Sequence, residues 1–274
     1  MCIFLCKYKY LIRIFYYFCT MNYHLLSKNN APLSRDERRN AAFFTTDRTI
    51  GRDAEAIFSA LGMDAAGEGC RFARPHQTHT DRVLHVTEAF FSLTEEEREA
   101  MMEGVDAVVS DVRNACLGIS TADCIPVLIY DKEHHAAAAI HAGWRGTVKR
   151  IAGKAVGEMA GIFGTRPEEC EAVIGPGISQ DSFEVGWEVH QAFVDEGFEM
   201  EEVTIVMPSK DGNGTKPHLD LKEINRRQLL SAGLKAENIA VSDIDTFTNG
   251  QYFSARREQK GDIKCGRILS GFVL

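Results

Sequence analysis

Residues 122–147 constrain this chain more than any other stretch. They read ADCIPVLIYD, KEHHAAAAI and HAGWRGT without a break. Cys124 opens an apolar run over 125–130. A charged turn occupies 131–133, and a second apolar run over 136–140 ends on His141. Two short apolar runs joined by a polar turn predict a hairpin of buried strands. Antiparallel pairing sets the start of the first strand beside the end of the second, so Cys124 and His141 become neighbours. A thiolate next to an imidazole serves either a zinc ion or a nucleophile–base pair. Behind His141, Gly143 and Gly146 let the backbone turn tightly, and Arg145 is a fixed cation beside the cluster.

The flanking sequence supplies layers to bury such a hairpin. Helical spacing runs through 52–61, with Gly62 as a C-cap. A helix over 95–102 follows Thr94 as N-cap, with three glutamates in its first turn. The longest apolar stripe, over 147–163, ends at Gly164. Further helices are expected over 187–194 and 221–230. Strands are expected over 41–45, 82–86, 106–110, 117–121, 172–174, 239–242, 252–257 and 268–273. Residues 27–40 read as a loop or short helix, and 201–216 as a strand with a Gly/Asn-rich loop. Strands and helices mix without strict βαβ alternation. The expected fold is therefore α+β, a single domain with a central mixed β-sheet core flanked by helices.

Residues 1–20 do not belong to that pattern. They are rich in Phe, Tyr, Ile and Cys, and Lys7, Lys9 and Arg13 break each apolar run short of the ~20 residues of a membrane span. The expectation is a non-native or disordered extension over 1–20, dispensable for function, before a domain over 21–274. The formal net charge of -8 argues against a nucleic-acid partner, while leaving room for a small anion held by a few arginines. The 8 cysteines show no CxxC pair or regular framework, which points to a reducing, cytoplasmic setting.

A catalytic zinc takes three protein ligands and leaves a fourth position open. His79, in the Pro75-His76-Gln77-Thr78-His79 segment, could join Cys124 and His141 in such a site. The competing reading makes Cys124 a buried core thiol and the histidines solvated or hydrogen-bonded residues, since no short metal-ligand spacing is present. His134 and His135 fall in the hairpin turn. Asp123 either orients the neighbouring thiolate or caps a turn. On a strand over 252–257, Arg256 and Arg257 would point to opposite faces, with Ser254 on the side of Arg256. Gly175 and Gly177 flank Pro176 as a tight turn.

Together, QTH at 77–79, TADCIPVLIYD at 121–131, HAGWRGT at 141–147, IGPGIS at 174–179, FEV at 183–185 and YFSARR at 252–257 resemble one family. It was first described as laccase-like multicopper polyphenol oxidases of the YfiH type and later as zinc-containing purine nucleoside phosphorylases. The resemblance covers roughly residues 40–274. It implies metal ligands at His79, Cys124 and His141, which would be the catalytic residues, and substrate contacts at Arg145, Ser254 and Arg256. The implied cofactor is zinc, with copper as the alternative. The implied reaction is phosphorolysis of inosine, adenosine or methylthioadenosine, with adenosine deamination as a second activity. The partners would be a purine nucleoside and phosphate, with no membrane or nucleic acid.

Three positions depart from the family pattern: Thr80 follows QTH, residues 43–48 replace a Gly-rich stretch, and Asp245 stands at a common Cys. Competing functions are a copper-dependent polyphenol oxidase, a metal-free cysteine hydrolase using Cys124 and His141, and a non-enzymatic zinc-stabilised module.

Overall fold

The computed structural model describes residues 23–30, 32, 41–63, 71–210, 212–258 and 266–274. The expected extension over 1–20 lies outside the described residues. A six-stranded mixed sheet runs in the order β12 (Ile239–Val241), β9 (Glu171–Ile174), β7 (Ile125–Asp131), β8 (Ala136–Ala142), β5 (Ala107–Ser110) and β4 (Val83–His85). A five-stranded mixed sheet runs β1 (Tyr23–Leu26), β2 (Ala42–Thr46), β13 (Ile268–Val273), β6 (Ala115–Thr121) and β3 (Arg71–Ala73). A hairpin of β10 (Thr204–Pro208) and β11 (Thr215–Leu219) stands apart.

The expected hairpin is the pair β7–β8 at the middle of the six-stranded sheet. Pro126 pairs with His141 and Ile125 with Ala142. Asp131 closes the turn by accepting the backbone N–H groups of Glu133 and His134. Both strands are buried along their whole length. Alternation of side chains explains this. Val127, Ile129, Ala138 and Ile140 face α4 (Ile151–Phe163) and, following α5 (Trp187–Asp195) in the chain, α6 (Leu221–Ser231), while Leu128, Tyr130, Ala137 and Ala139 face the five-stranded sheet. The outer face of that second sheet is covered by Ile57, Phe58 and Leu61 of α1 (Ala54–Ala60) and the residue that follows it. The single α+β domain is thus layered helix, sheet, sheet, helix. A strand covered on both faces needs apolar residues throughout, hence the unbroken runs. Each fully buried Ile or Leu contributes about 1.5–3 kcal/mol, so this packing fixes the hairpin against the layers.

Several elements match their sequence expectations closely. Helix α2 (Glu95–Met102) begins with a capping box in which Thr94 and Glu97 bond reciprocally. Gly164 ends α4 in the left-handed conformation at φ 75°. Other elements differ. The expected helix over 147–163 is two helices, α3 (Trp144–Val148) and α4, broken where Arg150 takes φ 60°. The expected strand over 252–257 is a loop leading into the short α7 (Ala255–Glu258). Its start is claimed by Ser254, whose hydroxyl accepts the N–H of Arg257. Residues 23–26, given no strand by the sequence, pair in parallel with β2.

Candidate metal centre

His141 leaves the end of β8, and Cys124 precedes β7 directly across the hairpin. His79 reaches the same point from the turn between β3 and β4. One donor atom from each lies within 4.8 Å of the other two. Cys124 Sγ is 3.9 Å from His79 Nε2, and the two imidazole rings are 5.0 Å apart in an edge-to-face pose. Zinc bonds of about 2.0–2.3 Å imply donor spacings of roughly 3.3–3.6 Å, so small side-chain adjustments would close the three donors on one ion. Two imidazoles and a thiolate also suit copper. Among the described residues this is the one such cluster.

Asp106, which the sequence offered only as the first residue of a strand, organises one half of the centre. Its carboxylate is buried. It accepts the backbone N–H groups of Thr78, His79 and Thr80 at 3.2, 3.1 and 2.8 Å. It also sits 2.6 Å from Nδ1 of His141. The carboxylate accepts a hydrogen bond from Nδ1–H, which leaves the Nε2 lone pair as the ring's ligand atom on the side of Cys124. The same oxygens hold the turn that carries His79 at φ 63°, a conformation His adopts only under constraint. Gln77 anchors the turn further, donating to Ser120 O and accepting Ser120 N–H. Nothing in the local pattern marked Asp106. The only available signal was a carboxylate standing before the apolar run AVVS.

Asp123 organises the other half. It adopts φ 78°, and its carboxylate accepts Thr246 Oγ at 2.7 Å, Ser254 Oγ at 2.9 Å and the N–H of Arg256 at 2.7 Å. Loop 242–254 and the start of α7 are thereby tied to the residue next to Cys124. Of the two readings offered for Asp123, orientation of its neighbour describes these contacts better than a local cap. Asp245, at the position of the family's common Cys, binds Ser179 N–H and Ser182 Oγ and so fastens the same loop to the IGPGIS segment.

The expected substrate residues take different places. Ser254 is buried and committed to Asp123. Arg256 donates from its guanidinium to Glu184 O at 2.9 Å and lies over the Phe183 ring. Arg145 is exposed, with its guanidinium 4.3 Å from the Trp144 ring centroid. Gly143 is not a turn glycine in the expected sense. Its φ is -69°, open to any residue. A Cβ there would stand 2.9 Å from His79 Cδ2 and 3.1 Å from Cys124 Sγ, within the donor cluster itself. Gly177 likewise serves close approach, since a Cβ would meet Ile125 Cδ1 at 2.5 Å. His76 bonds Glu103 at the surface, and His134 bonds Asp131 in the hairpin turn.

Without an ion, Cys124 and His141 charge each other. Burial opposes ionisation of the thiol, but the facing imidazoles overcome it and hold Cys124 below the ordinary thiol value. Burial likewise opposes protonation of His141, and the thiolate and Asp106 overcome it and raise His141. A metal needs the imidazole neutral, so its entry would expel a proton. The thiolate is the reactive form and exists above the pKa. In metal-stripped protein, iodoacetamide should therefore alkylate Cys124 well below the ~8.5 of a free thiol. Burial and neighbouring acids, Asp131 first, push Cys170 up to about 12, and Cys116 is buried; both should remain unmodified at neutral pH. Peptide mass mapping across pH 5–9 reads the outcome. A Cys124 rate that rises only near pH 8.5 would contradict it.

The sequence profile of the family described as "Multi-copper polyphenol oxidoreductase laccase" matches residues 40–274. A purine nucleoside phosphorylase of Bacteroides thetaiotaomicron is 46% identical over 201 residues, covering 73% of this chain and 72% of that protein. Adenosine deaminase RL5, from an unknown prokaryotic organism, is 38% identical over 226 residues, covering 81% and 83%. The crystal structure of the hypothetical protein YfiH of Bacillus licheniformis superimposes with a TM-score of 0.75 at 24% identity, over 91% of this chain and 98% of that one; this likeness concerns the fold.

Proposed function

The chain belongs to the multi-copper polyphenol oxidoreductase laccase family, and from that membership we propose that it is a zinc-dependent purine nucleoside phosphorylase. Inosine, adenosine or methylthioadenosine would be cleaved by phosphate, with adenosine deamination as a second activity. The observation that carries this reading is the open His79–Cys124–His141 cluster, in a chain whose 46% identical relative is named for phosphorolysis. The relative named adenosine deaminase supports the second activity.

His79, Cys124 and His141 would hold the ion, and the fourth position would serve the substrate. When bound, zinc would supply a Lewis acid at that position. The protein's own contribution is orientation. Asp106 accepts the hydrogen bond of His141 Nδ1–H and fixes the His79 turn, so neither imidazole rotates away. Asp123 holds the Cys124 turn through Ser254 and Arg256, which assigns Ser254 a positioning role. Among the described residues Arg145 forms no ion pair, which leaves its guanidinium available for phosphate. Arg256, beside Asp123, is the second cation on this side. Three free thiols among the described residues suit a cytoplasmic setting.

The test is Arg145→Ala with both reactions measured side by side at varied phosphate. Phosphorolysis should fall at least ~10-fold, about 1.4 kcal/mol of transition-state stabilisation. Metal content should hold, and deamination, which uses water, should suffer less. Arg145→Lys keeps the charge without the planar fork and should not restore full activity. Equal loss of both reactions, or loss of metal, would show that Arg145 supports the fold or the ion. Copper is the second reading, because the family's description is that of an oxidase and the donor set accepts copper. Copper at one equivalent with phenol oxidation, and no phosphorolysis, would favour it. Activity of metal-free protein would favour the Cys124–His141 hydrolase.

A further inference from the structure

Lys222 lies in the first turn of α6 and is only 7% exposed. Its ammonium crosses to the loop that follows β12, donating to Ser242 O at 2.9 Å and to Ile244 O at 2.7 Å. Among the described residues both of its bonds go to this one loop. The chain leaves the regular ladder of the six-stranded sheet after Val241, and buried carbonyls outside a ladder need donors. An ammonium on a long stem supplies two of them at once. Burial, partly offset by Asp220, Asp245 and Asp243, pulls Lys222 down to about 8, so the fold keeps this group at a cost.

The two carbonyls stand at the head of a path of contacts to Cys124. Ile244 is followed by Asp245, whose carboxylate accepts Ser179 N–H, and by Thr246, whose N–H bonds Gly177 O at 3.2 Å. Thr246 is fully buried, and its hydroxyl donates to the Asp123 carboxylate at 2.7 Å. Gly177 itself lies against the backbone of the thiolate turn. A Cβ there would stand 3.2 Å from Asp123 O and 3.4 Å from Cys124 O. A shift of residues 242–246 therefore reaches Cys124 by two routes, the Asp123 side chain and the Gly177 backbone. The same helix also serves the other ligand. Asn225 and Gln228, one and two turns beyond Lys222, donate to Thr147 Oγ1 and Thr147 O, behind His141. One face of α6 braces both sides of the centre.

We propose that Lys222 is a positioning residue for Cys124: it holds the carbonyls of Ser242 and Ile244 so that Thr246 reaches Asp123 and the thiolate stays in register with His79 and His141. The proposal rests on the assignment of that cluster as the metal centre. Lys222 acts through the loop and not on the substrate.

The test compares Lys222→Met, Lys222→Arg, Thr246→Val and the Lys222→Met, Thr246→Val double variant in the full-length chain. Methionine keeps the reach and loses the donors, whereas arginine still donates to two carbonyls. Zinc affinity is read by competition with a chromophoric chelator. Lys222→Met should weaken zinc binding about 10-fold, the lower end of what loss of an orienting contact costs. Lys222→Arg should recover most of that loss. The double variant should be no weaker than the worse single variant, because both act along one path. Ile57→Val, buried in the α1 layer, controls for general loss of stability: it should lower the melting temperature and leave zinc affinity unchanged. Should Lys222→Met not fold, Lys222→Gln, too short to span both carbonyls, takes its place. A second readout needs no metal. In chelated protein the Arg256 amide, held by Asp123, should exchange about 10-fold faster in Lys222→Met than in wild type. Unchanged zinc affinity in the folded variant, additive losses in the double variant, an equal loss in Ile57→Val, or Arg256 exchange equal to wild type would each overturn the proposal. Wild type that binds no zinc would count against the metal assignment, and Arg256 exchange would then decide the role of Lys222.

Discussion

Replacement of Cys124 or His141 by alanine should leave a folded protein that no longer retains about one equivalent of metal, because three ligands are the usual protein complement of a catalytic site. Losing even a residue that merely orients a ligand typically costs ~10–100-fold in metal affinity, so removal of a donor should cost more. Phosphorolysis should fall with the metal. Cys116→Ala and Cys170→Ala remove buried thiols that belong to other packing and should keep the metal, at about 1 kcal/mol of stability. Gly143→Ala provides the sharper comparison. Its backbone tolerates alanine, but the methyl group would stand 2.9 Å from His79 and 3.1 Å from the Cys124 sulfur. It should lose metal affinity while the melting temperature of the metal-free protein barely moves. Metal analysis of purified variants, alongside thermal melts after chelation, decides the matter. Full metal occupancy in Cys124→Ala would remove the cluster from consideration.

The second large effect is expected at Asp106. Asp106→Ala would strip acceptors from three backbone N–H groups and from His141 Nδ1, at a position where the carboxylate itself is buried. Removing one partner of a buried charged pair costs about 3–5 kcal/mol. Unlike Gly143→Ala, this change should lower the stability of metal-free protein as well as metal affinity. Asp106→Asn keeps the volume and one acceptor oxygen, so it should recover part of the stability. Its neutral amide has one acceptor oxygen where the carboxylate uses two and places an NH2 donor at the other, so His141 is held less firmly and metal affinity should stay low.

The pH dependence has a definite sign. Burial raises the Asp106 pKa, but bonds from His141 and Thr80 outweigh it and hold the carboxyl below its usual value. Its contribution is complete above the unfolded carboxylate range near ~4 and is lost as pH falls through the lower folded value. Chelated wild type should therefore lose stability more steeply in acid than Asp106→Asn. Parallel acid limbs in urea melts between pH 2 and 5 would show that the carboxylate charge is not what holds the turn.

Periodicity and punctuation were sufficient for much of the framework. The β7–β8 hairpin, the Thr94 cap and the Gly164 stop are local events. In each, neighbouring residues satisfy one another within a few positions, so the order of residues carries the information. The break at Arg150 was not visible, because the apolar stripe runs on through it. Residues 252–257 misled for a related reason. Their β-like aromatic start is overruled by Asp123, a partner more than a hundred residues away, which takes the Ser254 hydroxyl and the Arg256 N–H.

The candidate site divides in the same way. That Cys124 and His141 should meet followed from the sequence, since a tight hairpin leaves its two outer ends no other arrangement. His79 was on offer as the third donor, and the resemblance favoured it over the reading in which the histidines are solvated. Only the tertiary structure showed why that residue can arrive: a buried carboxylate 27 positions later in the chain gathers three N–H groups of its turn and the ring of His141. It also changed the meaning of Gly143, from a flexible hinge to the space beside the ligands. Chain order records which groups can bond to their near neighbours. Which distant carboxylate fills a buried cluster of donors, and where a missing side chain leaves room for an ion, is set by how the two sheets and their loops stack, and no local pattern encodes it.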